Sequence, residues 1–164
     1  MRLVRLIYAS RPVRLFGIRE MVEFLETFQQ CNEQQDITGM LAFSNDGFLQ
    51  VLEGSSERVN ALYQRIANDP RHHQVSLIAF SEVVEREFAD WSMAALDVVG
   101  MDAERRGAAL LRFSTSAVFD PFSMGASAAL GLMVAWRTEI SAGTVGKASM
   151  QARKTLARER QVHA

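Results

Sequence analysis

With 164 residues, 48% of them apolar, the chain has enough hydrophobic material for one cored domain and an extension. Its net charge of -1 argues against nucleic-acid binding driven by bulk charge, and its one cysteine, Cys31, excludes an internal disulfide framework and the usual kind of zinc cluster. The apolar run behind Arg2 is too short for a signal peptide and is broken by Arg5, and no apolar stretch reaches the roughly 18 residues of a membrane span, so a soluble cytoplasmic protein is expected.

Residues 3–9 read as a strand, with Val4, Leu6 and Tyr8 on one face and Leu3, Arg5 and Ile7 on the other. Ser10-Arg11-Pro12 is expected to end it. Ile18, Met21, Val22, Leu25 and Phe28 then recur at helical spacing, which predicts an amphipathic helix over 17–35. Asn32 follows Phe28 by four, so it falls on or beside the apolar stripe near the helix end. In the stretch DITGMLAFSNDGFLQVLEG, two runs of strand composition, 38–44 and 48–52, flank Asn45-Asp46-Gly47. Such a link favours a hairpin, because these residues tolerate the positive φ of a tight turn. In the second run Phe48, Gln50 and Leu52 share one face, and Leu49 and Val51 the other. Both faces are apolar, so the strand should be central and covered on both sides. Gln50 is the exception. An unpaired buried amide costs on the order of a few kcal/mol, so it needs a polar partner from protein, water or ligand.

Gly54-Ser55-Ser56-Glu57 supplies N-cap chemistry for a second helix over 56–68, with a stripe of Val59, Leu62, Tyr63 and Ile66; Asp69-Pro70 stops it. A fourth strand is expected over 75–80. A fifth is expected over 91–96, with Trp91 and Met93 on one face. The order β-α-β-β-α-β plus one strand is the α+β, ferredoxin-like pattern, with both helices on one sheet face. The other face then needs cover from C-terminal helices. One is expected over 102–113. A longer one is expected to open at Asp120-Pro121 and run to about 139, with Phe122, Ala126, Ala129, Leu130, Met133 and Val134 as its stripe. Phe119, Leu132 and Trp136 fall outside that stripe. A monomer would partly expose them, so at least a homodimer is expected. Residues 147–164 carry five Lys/Arg and one acid and read as a solvated helical tail. The expected division is 1–97, a helical cap over 98–141, and a basic tail over 142–164.

Tyr8, Asn32, Gln50, Trp91 and Met93 come from four separate elements. In a ferredoxin-like sheet the first and third strands are adjacent, which makes Tyr8 and Gln50 neighbours on the helix face. Asn32 then lies above them, and Arg65, Asp69 and Arg71 lie beside the second helix. Such a site has room for a flat ring, with walls such as Leu25 and Ile66. Each residue also has a plain packing reading: Tyr8 and Gln50 as a core pair, Asn32 as a helix-end residue, Trp91 and Met93 as filler. His72 and His73 lack the companions of a metal site. Two competing functions use the same fold. A small acylphosphatase-like enzyme would use Arg11 and Arg14, although Pro12 and the missing glycine-rich cradle count against it. A purely structural or small-ligand regulatory dimer is the other. No G-x-G-x-x-G or Walker motif is present.

The segments LVRLIYAS, ITGMLAF, DGFLQVLEG, IANDPRH and FADWSMA resemble, in order and spacing, the BLUF domains, blue-light sensors that use FAD. The resemblance covers about residues 1–97. It implies a photoreceptor rather than an enzyme, with Tyr8 as the redox-active tyrosine and Gln50 as the glutamine between it and flavin N5 and O4. It also implies that Asn32 bonds the pyrimidine edge, that Arg71 is a positively charged residue near the flavin, and that Arg65 and Asp69 support. Leu25, Phe48, Ile66 and His72 complete the implied flavin contacts. Trp91 and Met93 match the residues placed around the glutamine. Cys31 departs from the pattern, where members often carry histidine or asparagine. The C-terminal part resembles the two-helix cap of short stand-alone members. It implies output by contact with a separate effector protein.

Overall fold

The computed structural model describes residues 2–144; the basic tail expected over 147–164 lies outside the described residues. Strand β1 (Leu3–Pro12) is followed by helix α1 (Ile18–Gln34) and by the hairpin of β2 (Thr38–Phe43) and β3 (Phe48–Ser55). Helix α2 (Ser56–Ala67), β4 (His72–Glu82) and the short β5 (Ala94–Asp97) complete the sheet region. Helix α3 (Ala103–Phe113), a 3-10 turn (Pro121–Ser123) and helix α4 (Ala126–Ser141) follow. The strands lie in the order β4-β1-β3-β2-β5, antiparallel except for β2 with β5. This is the expected α+β, ferredoxin-like arrangement with its fifth strand.

Local chemistry accounts for several of the boundaries. The Asn45-Asp46-Gly47 link closes the hairpin, with the Ser44 amide donating to the Gly47 carbonyl at 2.9 Å. Ser55 caps α2 by accepting from the Arg58 amide at 3.4 Å, and Asp102 caps α3 by accepting from the Arg105 amide at 3.0 Å. Strand β1 runs past its expected stop, because β4 pairs with it as far as His72 opposite Pro12.

Every residue of β3 is buried, as a central strand covered on both faces requires. Two cores result. Leu6, Tyr8, Leu25, Phe48 and Leu52 form one beneath α1 and α2. Ile7, Leu49 and Val51 form the other with Leu132, Met133 and Trp136 of α4. Burying each such side chain contributes about 1.5–3 kcal/mol. Helix α3 packs on α4 through Phe113, whose ring lies so close to Gly131 that an added Cβ would meet it at 2.5 Å.

Helix α4 departs from expectation in both start and facing. Asp120 and Pro121 do open a helical turn, with Asp120 accepting from the Phe122 amide at 3.2 Å. That turn is the 3-10 segment and stops at Ser123. The buried residues of α4 are Ala129, Leu132, Met133, Trp136 and Ile140, so of the expected stripe Ala129 and Met133 are buried, while Leu130 and Val134 pack against the same core only partly buried. Phe119, Leu132 and Trp136 are 9%, 0% and 0% exposed, which removes the ground they gave for a dimer. The helix is apolar nearly all round, and periodicity cannot choose a face on such a helix.

Strand β5 begins at Ala94 rather than at residue 91. Trp91 and Met93 therefore precede it and do not share a face. Met93 joins the core beneath α1 and α2, whereas Trp91 packs on the α4 side with its ring 6.3 Å from that of Phe88. Among the described residues, no helix is long and apolar enough to cross a membrane, and no three His, Cys, Asp or Glu cluster to hold a metal.

Candidate flavin site

A cavity of about 310 Å³ lies between the sheet and helices α1 and α2, within the size range of small-molecule sites. Of the expected site residues, Tyr8, Asn32, Phe48, Gln50, Arg65, Ile66, Asp69, Arg71 and His72 line it. Leu25 does not; it is 4% exposed inside the adjoining core. Met93 stands behind Gln50, and Trp91 belongs to the opposite sheet face.

Tyr8 and Gln50 face each other across the β1 and β3 ladder and are both buried. The Tyr8 hydroxyl donates to Gln50 Oε1. The other end of the carboxamide, Nε2, donates to Met93 Sδ at 3.2 Å. The polar partner that Gln50 requires is thus supplied by the protein. Burial pushes the Tyr8 hydroxyl far above its usual value of 10, with smaller contributions from Tyr63 and Asp69.

Asn32 is neither a side-chain cap nor solvated. It is 4% exposed, and its Nδ2 donates to the Ser92 carbonyl at 3.2 Å. At the rim, Arg71 Nε donates to Asp69 Oδ1 at 2.9 Å while its guanidinium lies 4.6 Å from the centre of the Phe24 ring. The hydrogen bond from Arg71 holds the Asp69 carboxyl down at about 2. His72 Nδ1 and Ser10 Oγ are 2.9 Å apart, and the His72 ring packs 5.3 Å from that of Phe48. Burial holds His72 below its usual value. Arg65 Nη2 donates to Gln35 Oε1 at 3.1 Å.

Two parts of the site escape a sequence reading. Phe16, Phe24 and Phe28 build an aromatic wall, of which only Phe28 stands out by periodicity. The i, i+4 spacing of Phe24 and Phe28 was the available signal. Ser10, read as a strand terminator, orients His72. Cys31 lines the cavity from an exposed position.

The donor set fits a flat heteroaromatic ring with hydrogen-bonding edges. Aromatic and aliphatic side chains line the cavity and would cover its faces, the Gln50 and Asn32 amides could serve its edges, and Arg65 and Arg71 stand at the rim, Arg71 paired with Asp69. Flavin is such a ring. An acylphosphatase-like reading fares worse, because its arginines are committed elsewhere. Arg11 binds Gln74 and the Asp46 carbonyl at 2.8 and 3.0 Å, and Arg14 pairs with Glu20.

The family model for sensors of blue-light using FAD matches residues 3–94 of the 164. This chain belongs to that family, the BLUF photoreceptors, and carries its flavin-binding, blue-light-sensing domain. It is 34% identical over 94 residues to a photoactivated adenylate cyclase subunit beta of Euglena gracilis, covering 57% of this chain and 11% of that one. It is 31% identical over 96 residues to the blue light- and temperature-regulated antirepressor BluF of Escherichia coli K12, covering 58% and 24%. The aligned part thus spans no more than a quarter of these relatives. Among solved structures, the dark state of the BLUF protein BlrB matches with a TM-score of 0.65 and 27% identity, covering 82% of this chain and 97% of that one. The ground state of BlsA matches in fold with a TM-score of 0.70 at 23% identity, covering 80% and 87%.

Proposed function

We propose that the chain is a light-driven hydrogen-bond switch without turnover, holding FAD in the cavity between α1 and α2. The observation that carries this is the buried chain from the Tyr8 hydroxyl to Gln50 and on to Met93. Bound flavin excited by blue light supplies a strong oxidant. Tyr8 is an oxidisable ring whose radical cation must shed a proton, and its hydroxyl already points at the Gln50 oxygen. A carboxamide can relay that proton and settle in a second rotamer or tautomer, whereas an aliphatic side chain can do neither. Asn32, Arg65 and Arg71 would orient the ring system, with Asp69 holding Arg71 in place.

The proposal keeps the division into a flavin domain over 1–97 and a helical cap over 98–141, with output by contact with a separate effector protein in the cytoplasm. It includes a homo-oligomer. Support for assembly comes from edge strand β4, where Leu77 and Phe80 are 49% and 41% exposed. A monomeric mass in solution would remove that part alone.

The test is an absorption spectrum of the purified protein before and after blue light. A yellow protein with a reversible red shift is expected, and extraction should release FAD. The Tyr8→Phe variant should stay yellow and lose the shift. A colourless protein, or a Tyr8→Phe variant with an intact shift, would overturn the reading.

A further inference from the structure

The sequence holds two tyrosines, and the fold brings them together. Tyr63 sits on the inner stripe of α2 and packs against the core that contains Tyr8. Their ring centroids are 5.7 Å apart with planes tilted by 60°, within the range of a direct aromatic contact. The two differ in access to water. Tyr8 is 2% exposed, while Tyr63 is half-buried. Tyr8 has one hydroxyl partner in Gln50; Tyr63 lies off that hydrogen-bonded chain.

We propose that Tyr63 is a second redox-active residue, an electron donor to oxidised Tyr8 that competes with the Gln50 relay. The proposal rests on the photoreceptor reading for the source of the first oxidation. Once light has removed an electron from Tyr8, its ring is a phenol radical cation with two exits. In the productive exit the phenolic proton passes to Gln50 and a neutral tyrosyl radical remains at Tyr8. In the competing exit one electron moves from the Tyr63 ring to the Tyr8 ring. Tyr8 returns to the intact phenol with its own proton. Tyr63 becomes the radical cation and releases its phenolic proton to water, leaving a neutral tyrosyl radical at the α2 surface. One electron and one proton leave Tyr63, and the electron first taken from Tyr8 stays with the bound oxidant. A hole on Tyr63 has left the Gln50 chain, so it recombines slowly, lowers the switching yield and is open to external reductants.

The test combines electron paramagnetic resonance of samples frozen under blue light with the light-minus-dark spectrum, on flavin-loaded wild type, Tyr63→Phe and Tyr63→Trp. Wild type should show a long-lived tyrosyl radical. Tyr63→Phe should lose that radical and gain red-shift yield, and Tyr63→Trp should move the radical to an indole and lose yield. The same radical in Tyr63→Phe, or a yield indifferent to both substitutions, would overturn the proposal. A second arm uses flavin-free protein and a photogenerated ruthenium(III) oxidant. Wild type should give a tyrosyl radical. Tyr63→Phe should give none despite retaining buried Tyr8, and an equal signal would again overturn the proposal. No red shift in any flavin-loaded sample would instead defeat the photoreceptor reading, leaving the flavin-free arm to decide whether Tyr63 is the oxidisable tyrosine.

Discussion

The carboxamide of Gln50 sits between a phenol and a thioether, and these hold it unequally. Its oxygen accepts a hydroxyl proton from Tyr8, while its NH₂ group faces Met93 sulfur, a weak acceptor. Turning the amide therefore sacrifices little on the sulfur side. Gln50→Leu should remove the proposed switch and leave the Tyr8 hydroxyl without this acceptor, at about 1–3 kcal/mol. The expected result is a folded, yellow protein that melts modestly earlier and has a flat light-minus-dark spectrum. A variant that melts far earlier yet keeps the full red shift would make Gln50 a packing residue. His72 gives a second residue-scale prediction. Burial lowers its pKa below the usual 6.5, opposed by Asp69 and reinforced by Arg71. As pH falls, the unfolded chain takes up this proton before the folded one does. Stability should thus be full above about 6.5, decline as pH falls toward the depressed folded value, and flatten below it. Melting temperatures measured between about pH 5 and 8 should show this slope in wild type and a shallower one in His72→Gln.

Among the elements, the hairpin of β2 and β3 tolerates least change at Gly39. A Cβ there would lie 2.0 Å from the Val51 carbonyl oxygen, and φ is +157°. The obstruction is ladder backbone, which cannot turn aside, so Gly39→Ala should cost more than about 3 kcal/mol. Chemical denaturation would show it, and an unchanged midpoint would refute the close approach. The sheet and its two helices were legible because their signals differ in period: alternation in 48–52, a 3.6-residue stripe in α1 and α2, and Asn-Asp-Gly between strands. Gln50 was legible as a polar residue on a greasy strand. The failures have physical causes. Asp120-Pro121 is sound N-cap chemistry, but a cap fixes where a turn starts and not how long it lasts. Alternation placed Trp91 beside Met93, and it holds only where the backbone is extended, which here begins at Ala94. Leu25 lies on the right helix face but faces side chains and not the cavity. Glu53 went unnoticed altogether. It is fully buried opposite Arg5, and it accepts from Arg5 Nε at 2.6 Å and from the Glu87 and Phe88 amides at 3.1 and 2.9 Å. Opposite charges at one level of two central strands were the sign to look for.

Across the whole molecule, residues 86–93 connect the cavity to α4. At one end Met93 accepts from Gln50, the Ser92 carbonyl accepts from Asn32, and the Trp91 carbonyl accepts from the Gly39 amide at 2.8 Å. In the middle Phe88 is tied to buried Glu53 and packs against Trp91. At the other end Arg137 of α4 pairs with the Glu87 carboxylate at 2.8 Å and donates to the Glu87 carbonyl. On the proposed switch, a change in the Gln50 hydrogen bonds would act first on a segment that α4 also grips. Arg137 does not line the cavity between α1 and α2, so Arg137→Ala tests transmission apart from sensing. Its ion pair is partly exposed, and removing it should cost only about 1 kcal/mol. Hydrogen exchange in dark and light should show altered protection in both 86–93 and α4 of wild type. In Arg137→Ala the red shift and the change over 86–93 should persist, while the change in α4 should shrink or vanish. Equal light-induced changes in α4 of both proteins would show that the signal reaches the helix without the Glu87 contact, through the packed sheet face of Ile7, Leu49 and Val51 instead.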